Sequence, residues 1–249
     1  MKRLVLLASL LSAGAFGETI TRTLHNLSSS SPNAGAKAAP SANAVDADQI
    51  CKFCHSPHRT GSASLLWNHR ASQATATWAD AASTTKGTPL PPDVNAAGSS
   101  RICLSCHDGS VALGDLHNAG GGAPGTVIFT GADVLGGWPL APGTPGYLGR
   151  NLAGNHPVSI PYAAQAYNVT GTVVISSAPV GAGEFNAATI TAGEATVTRG
   201  ANTVLLEPDG AGGYGVECST CHDPHGTNFD RMLRVDPTGS QLCLTCHDK

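Results

Sequence analysis

The sequence predicts a largely irregular chain with short helices and one small antiparallel β patch. Three observations lead there. Gly at 30 and Pro at 16 of 249 residues, with only 5% aromatics, leave few long periodic segments to pack. One pentapeptide pattern, suited to a single helical turn, recurs four times. β-Branched runs separated by Gly, Asn and Pro follow one another over residues 158–206.

The recurring pattern is C-x-x-C-H, in Cys51 to His55, Cys103 to His107, Cys218 to His222 and Cys243 to His247. It is the attachment pattern of c-type haem, and composition alone would give only about 0.01 such pentapeptides. The four copies use all eight cysteines. A zinc ribbon needs no histidine after every second cysteine. A redox dithiol is not normally repeated four times without a βαβ pattern around it. The eight cysteines are therefore expected to form thioethers with four haems, and the fold to be centred on those rings. They would supply much of the apolar interior, and the chain without them is not expected to fold.

Residues 1–17 read as a secretory signal: Lys2 and Arg3, the apolar run Leu4 to Leu11, and Ala15-Phe16-Gly17 as the cleavage site. The run is too short to span a bilayer, no other stretch approaches spanning length, and residues 18–249 are expected to form one exported unit. Export suits haem attachment, which in bacteria occurs outside the cytoplasmic membrane. Without the signal, 12 Lys and Arg face 17 Asp and Glu, a formal −5. Eight propionates would take this to about −13, which argues against nucleic-acid partners.

In chain order, residues 18–44 are polar and aperiodic and contain His25. Asp46 or Asp48 can cap the turn carrying the first motif, and Pro57 ends it. Ser99-Ser100 is the cap signal for the second, closed by Asp108-Gly109. Residues 114–152 read as a Gly/Pro-rich loop holding His117. The runs Val158–Ile160, Thr172–Ile175, Ala188–Thr191, Ala195–Thr198 and Thr203–Leu206 form the β patch, a possible insertion over about 157–207. Arg231 to Val235 reads as extended, and Ser240 as the cap of the last motif.

His55, His107, His222 and His247 are the proximal iron ligands. Six histidines remain for four distal positions, and the mature chain has one methionine, Met232, so bis-His ligation throughout is the economical reading. His58 and His225 lie three residues beyond a proximal histidine, and each is expected to reach a different haem. His156 and His25 complete the expected distal set. His69, beside Trp67, is the reserve, and His117 reads as a surface residue.

Cys54-His55-Ser56-Pro57-His58, Leu66-Trp67-Asn68-His69, Asn155-His156-Pro157-Val158 and Cys221-His222-Asp223-Pro224-His225, with the remaining motifs, resemble the exported tetrahaem cytochromes with doubled C-x-x-C-H motifs. These include the OmcE-type extracellular cytochromes whose subunits polymerise into haem-chain filaments. The resemblance implies a coil-rich fold around stacked bis-His haems, electron transfer, and no substrate chemistry. In related filaments the second histidine of the first Cys-His-x-x-His unit binds a haem of the neighbouring subunit. His58 matches it and is expected to complete the haem at Cys243 and Cys246 of an adjacent copy, head to tail. The other partners expected are redox cytochromes or extracellular acceptors. Competing readings are a soluble periplasmic carrier and a multihaem reductase with one open haem. Six spare histidines for four haems count against the reductase.

Overall fold

The computed structural model describes residues 20–32, 35–39, 48–58, 64–78, 93–96, 98–120, 123–134, 139–162, 172–175, 185–209, 213–226 and 229–248. The signal segment and Asp46 lie outside these. Three helices carry motifs two to four: α1 (Ser99–His107), α2 (Cys218–Cys221) and α3 (Gln241–Cys246). The first motif sits on a 3-10 turn, Ile50–Phe53.

Strands β1 (Lys37–Ala38) and β4 (Phe129–Thr130) pair with each other, as do β2 (Asp115–Gly120) and β3 (Ala123–Thr126). The remaining six are β5 (Ile160–Pro161), β6 (Thr172–Ile175), β7 (Ala188–Thr191), β8 (Glu194–Arg199), β9 (Asn202–Pro208) and β10 (Tyr214–Val216). They form one antiparallel sheet in the order β5-β10-β9-β8-β7-β6. Four of the five expected runs are strands; of Val158–Ile160 only Ile160 is, at the start of β5. The sheet also extends past residue 207 through β10, which leads straight into α2.

The alternation of these strands decides which face is covered. Ala188, Ile190, Ala195, Val197, Val204 and Leu206 are buried, while Thr189, Thr191, Thr198 and Thr203 are exposed. Each of the larger aliphatics contributes about 1.5–3 kcal/mol on full burial. Tyr162, Val216 and Val235 join this layer, with Leu242 and Cys246 of α3 packed against it. A two-residue turn joins β7 to β8, with Ala192 and Gly193 both at positive φ (52° and 87°), the conformation that matches strand twist.

A second apolar cluster joins Phe53 of the first motif to Leu113, Leu116, Val127 and Phe129. The β2–β3 hairpin inside it corrects the loop expected over 114–152. Its Gly and Pro content hides a strand pair held by burial of Leu116. The backbone of Val127 lies so close to Gly114 that a Cβ there would overlap it.

Asn68, fully buried, is the polar staple between the first motif and β2. Its Nδ2 donates to the carbonyls of Lys52 (2.6 Å) and Asn118 (3.0 Å), and its Oδ1 accepts from the Asn118 N–H (2.8 Å). Asn68→Ala removes three hydrogen bonds to part-buried backbone groups, each costing about 1–3 kcal/mol. The denaturation midpoint of the holoprotein is expected to fall by the equivalent of about 3 kcal/mol or more.

The expected caps are corrected. Gln49 precedes the first turn, Gly98 precedes α1, and neither makes a side-chain cap; Ser240 precedes α3 in the left-handed region without one. The N–H groups of Ser99 and Ser100 are satisfied from across the fold, by Glu207 Oε2 (3.0 Å) and Glu217 Oε2 (3.3 Å). α1 does end as expected, at Asp108 with Gly109 at φ 70°. Arg231 to Val235 is not extended throughout: Asp230–Met232 is a 3-10 turn, with Arg231 and Met232 at positive φ.

Candidate haem sites

Within each C-x-x-C turn the two cysteines share one face, three residues apart, so the residue before the second cysteine points the other way. That residue is buried in every motif: Phe53, Ser105, Thr220 and Thr245. The hydroxyls are satisfied locally. Ser105 donates to Ile102 O, Thr245 to Gln241 O, and Thr220 Oγ1 accepts from the Glu217 N–H in a reciprocal box. This anchoring turns the cysteines to the other face of the turn, on the side where a ring would lie. None of the eight is in a disulfide.

The attachment points succeed one another in chain order. The Cys54 sulfur lies beside Cys106, Cys103 hydrogen-bonds Cys218, and Cys221 lies beside Cys243 and Cys246. Burial is the main cause raising Cys54, to about 12, and Cys221 and Cys246, to about 11. For Cys103 the bond to Cys218 comes first and burial second. The junction between motifs two and three is the most polar. Ser99 Oγ donates to Ser219 Oγ (3.0 Å), the Cys218 N–H donates to Ser100 Oγ (3.0 Å), and Ser219 Oγ donates to Glu207. Burial pushes the Glu217 carboxyl up, against hydrogen bonds from Ser100 and Ser159.

Three proximal histidines each face a second histidine. Ring centres are 5.8 Å apart for His107 and His25, 6.0 Å for His55 and His225, and 6.4 Å for His247 and His156. Two imidazoles bound to one iron at about 2.0 Å each have ring centres on the order of 6 Å apart. The tautomers agree with that use. Nδ1 points to a backbone carbonyl in His25 (Pro224, 3.4 Å), His55 (Leu65, 2.6 Å), His107 (Gly146, 2.5 Å), His156 (Pro157, 2.8 Å) and His222 (Arg231, 2.9 Å). A ring donating Nδ1–H in this way keeps Nε2 for iron. Burial, followed by His107, lowers His25 to about 4, which keeps it neutral as a ligand must be.

The residues therefore fit haem. The buried Trp67 Nε1–H, without a partner among the described residues, adds a donor of the kind a propionate accepts, and its ring is 6.1 Å from that of His55. The sequence reading did not single out this indole; its place twelve residues after a proximal histidine was the only signal. Among the described residues no three His, Cys, Asp or Glu side chains gather to hold a bare metal ion.

His25, His156 and His225 thus stand where a distal ligand belongs. His58 does not: it is exposed, and no proximal ring faces it. At the motif of Cys243 and Cys246 it is His156 of the same chain whose ring lies opposite His247, at 6.4 Å. The proximal histidine with no histidine ring opposite, among the described residues, is His222. His69 is buried with both ring nitrogens on carbonyls, Nδ1 on Arg70 (2.9 Å) and Nε2 on Ala112 (2.8 Å), so it offers no nitrogen to iron. His117 is half-buried on β2.

Motifs one and three are built alike. After each, the chain makes two consecutive positive-φ residues, Leu65 and Leu66 (56°, 50°) or Arg231 and Met232 (55°, 58°), and returns to bridge the proximal histidine through Trp67 or Leu233. The bonds correspond one by one. Ser56 N–H to Leu66 O (2.9 Å) matches Asp223 N–H to Met232 O (2.8 Å), and Asn68 N–H to Cys54 O (2.8 Å) matches Arg234 N–H to Cys221 O (2.9 Å). His58 and His225 are therefore equivalent positions.

The family model for the doubled CXXCH motif matches residues 212–249, the third and fourth motifs with the strand leading into them. These motifs imply covalently bound haem c and a multihaem cytochrome c in electron transfer. No curated protein matches the chain to a significant degree. No helix among the described residues is long and apolar enough to cross a membrane.

Proposed function

We propose that the chain is an exported tetrahaem cytochrome that carries electrons along four bis-His haems in sequence order, and that it polymerises head to tail. The observation that supports the first part is the succession of attachment cysteines: 103 is hydrogen-bonded to 218, and 54 with 106, and 221 with 243 and 246, lie within electrostatic range of each other. Attachment points that neighbour one another in this way would bring porphyrin edges close, which is what rapid transfer between neighbours needs. Haem supplies the one-electron couple. The chain supplies the ligand nitrogens, the carbonyls that hold each imidazole in its tautomer, and the apolar walls that exclude water. Bis-His ligation favours low potentials.

The repeat supports the polymer. His225, from the third motif, faces His55 of the first, so the later unit serves the earlier one. Its counterpart His58 has no home haem, and His222 has no home ligand. Joining His58 of one copy to the haem at Cys218 and Cys221 of the preceding copy repeats between chains the handover already made within one. Such a heterologous contact gives an open filament when its rotation does not close. Redox cytochromes or extracellular acceptors are the further partners in this reading.

The same unserved histidine favours one alternative, a monomeric reductase that takes a small ligand at the third haem. Absorbance and EPR spectra of secreted material, with haem counted per chain, separate the two. Four low-spin haems in filaments are expected. One high-spin haem in a native monomer that binds nitrite would overturn the filament reading.

A further inference from the structure

His69 is the one histidine that the ligand scheme excludes on geometry, and its surroundings define another use. A neutral imidazole has one N–H and one lone pair. Here both ring nitrogens face carbonyl oxygens, at 2.9 and 2.8 Å, in a site only 1% exposed. A neutral ring would aim a lone pair at one of those oxygens with no water to intervene, whereas the cation donates to both. Burial alone would lower its proton affinity. Against burial, the largest influence, the ionisable Cys106 sulfur raises it most and the two carbonyls less. The share that depends on an ionisable Cys106 disappears in a thioether, and the two carbonyls remain. The flanking charges, Arg70 and Asp115, neutralise each other at 3.2 Å.

Resting on the tetrahaem reading, we propose that His69 is a fixed imidazolium beside the Cys106 thioether, and that its charge holds the second haem at a higher potential than bis-His ligation alone would give. An electron arriving at the iron lowers the net charge of the haem by one unit. A cation buried nearby in a low-dielectric setting stabilises that reduced state more than the oxidised one. Cys106 also lies within electrostatic range of Cys54, which places the charge toward the junction between the first two haems. Transfer along the chain is then uneven by design: the second haem is a favoured resting place for an electron.

The test is a mediated reductive titration of the holoprotein, native and His69→Gln. Glutamine keeps a donor and loses the charge. One of the four waves is expected to move to lower potential by about 59 mV or more, a tenfold change in the oxidised-to-reduced ratio at fixed potential. The others are expected to hold. Should the variant fold poorly, nitrogen NMR of the native, fully reduced, diamagnetic protein answers the same question, with both His69 ring nitrogens protonated at neutral pH. Unchanged waves, or a single protonated nitrogen, would overturn the inference while leaving the tetrahaem reading intact. Fewer than four haem waves in the native protein would sink that reading instead.

Discussion

His58→Ala is expected to abolish filaments in electron micrographs of the secreted protein and to turn one haem in four high-spin. The affected haem should be that of the third motif, because three proximal histidines already face His25, His225 and His156 within the chain. A monomer of the variant should fold normally. His58 is exposed, its backbone carbonyl is held by Ser56 Oγ (2.7 Å) and Asn118 Nδ2 (3.3 Å), and alanine leaves both bonds in place. The contrast with His225→Ala is the sharper control. That change should open the first haem and leave the intersubunit ligand untouched, so filaments should persist with a different haem high-spin. Filaments of the His58 variant with all haems low-spin would show that the intersubunit ligand lies elsewhere.

The double change of Cys218 and Cys221 to serine is expected to collapse both yield and protease resistance. The third motif is hydrogen-bonded to the second at Cys103 and lies within electrostatic range of the fourth at Cys243, so removing its ring would take the middle from the chain of haems. The protein around it is polar: Ser99, Ser100, Ser159, Ser219, Glu207 and Glu217 meet there, satisfied by one another. A polar network left half-covered loses the low-dielectric setting that made its bonds strong and gains no apolar contact in return. The loss is expected to exceed the 5–15 kcal/mol that holds a typical domain folded. Pulse proteolysis and haem content per chain measure it. Near-normal yield would mean that the side-chain layer under the sheet, with Ile190, Val197, Val204 and Leu206, suffices alone.

What was legible in the sequence was whatever chemistry or period expresses locally. The haem motifs announce themselves because thioether formation demands two cysteines and a histidine on one turn. The strands from Thr172 to Leu206 were visible because a half-buried strand must alternate, and Thr-rich alternation has few other uses. The hairpin at Asp115 to Thr126 was not, since Gly, Pro and Asn there mask two strands whose pairing depends on distant Phe53 and Phe129. Helix caps were misassigned for a similar reason. A serine before a helix looks like a cap, and nothing local tells that carboxylates more than a hundred residues away take that role for Ser99 and Ser100.

The sequence by itself determined the haem c chemistry that the C-x-x-C-H motifs imply, and it supplied four candidate attachment points, each with its following histidine, and a list of six further histidines. Only the tertiary structure decided which histidine faces which. His25 and His107 are 82 residues apart, and His55 and His225 are 170, yet both pairs sit within about 6 Å. It also separated His69 from the ligands, because a histidine is spelled the same whether its nitrogens face iron or carbonyl oxygens. Ligation is set by direction and distance, and those are properties of the folded backbone, in which residues far apart in the chain are brought together by burial and by exhaustion of hydrogen-bond partners.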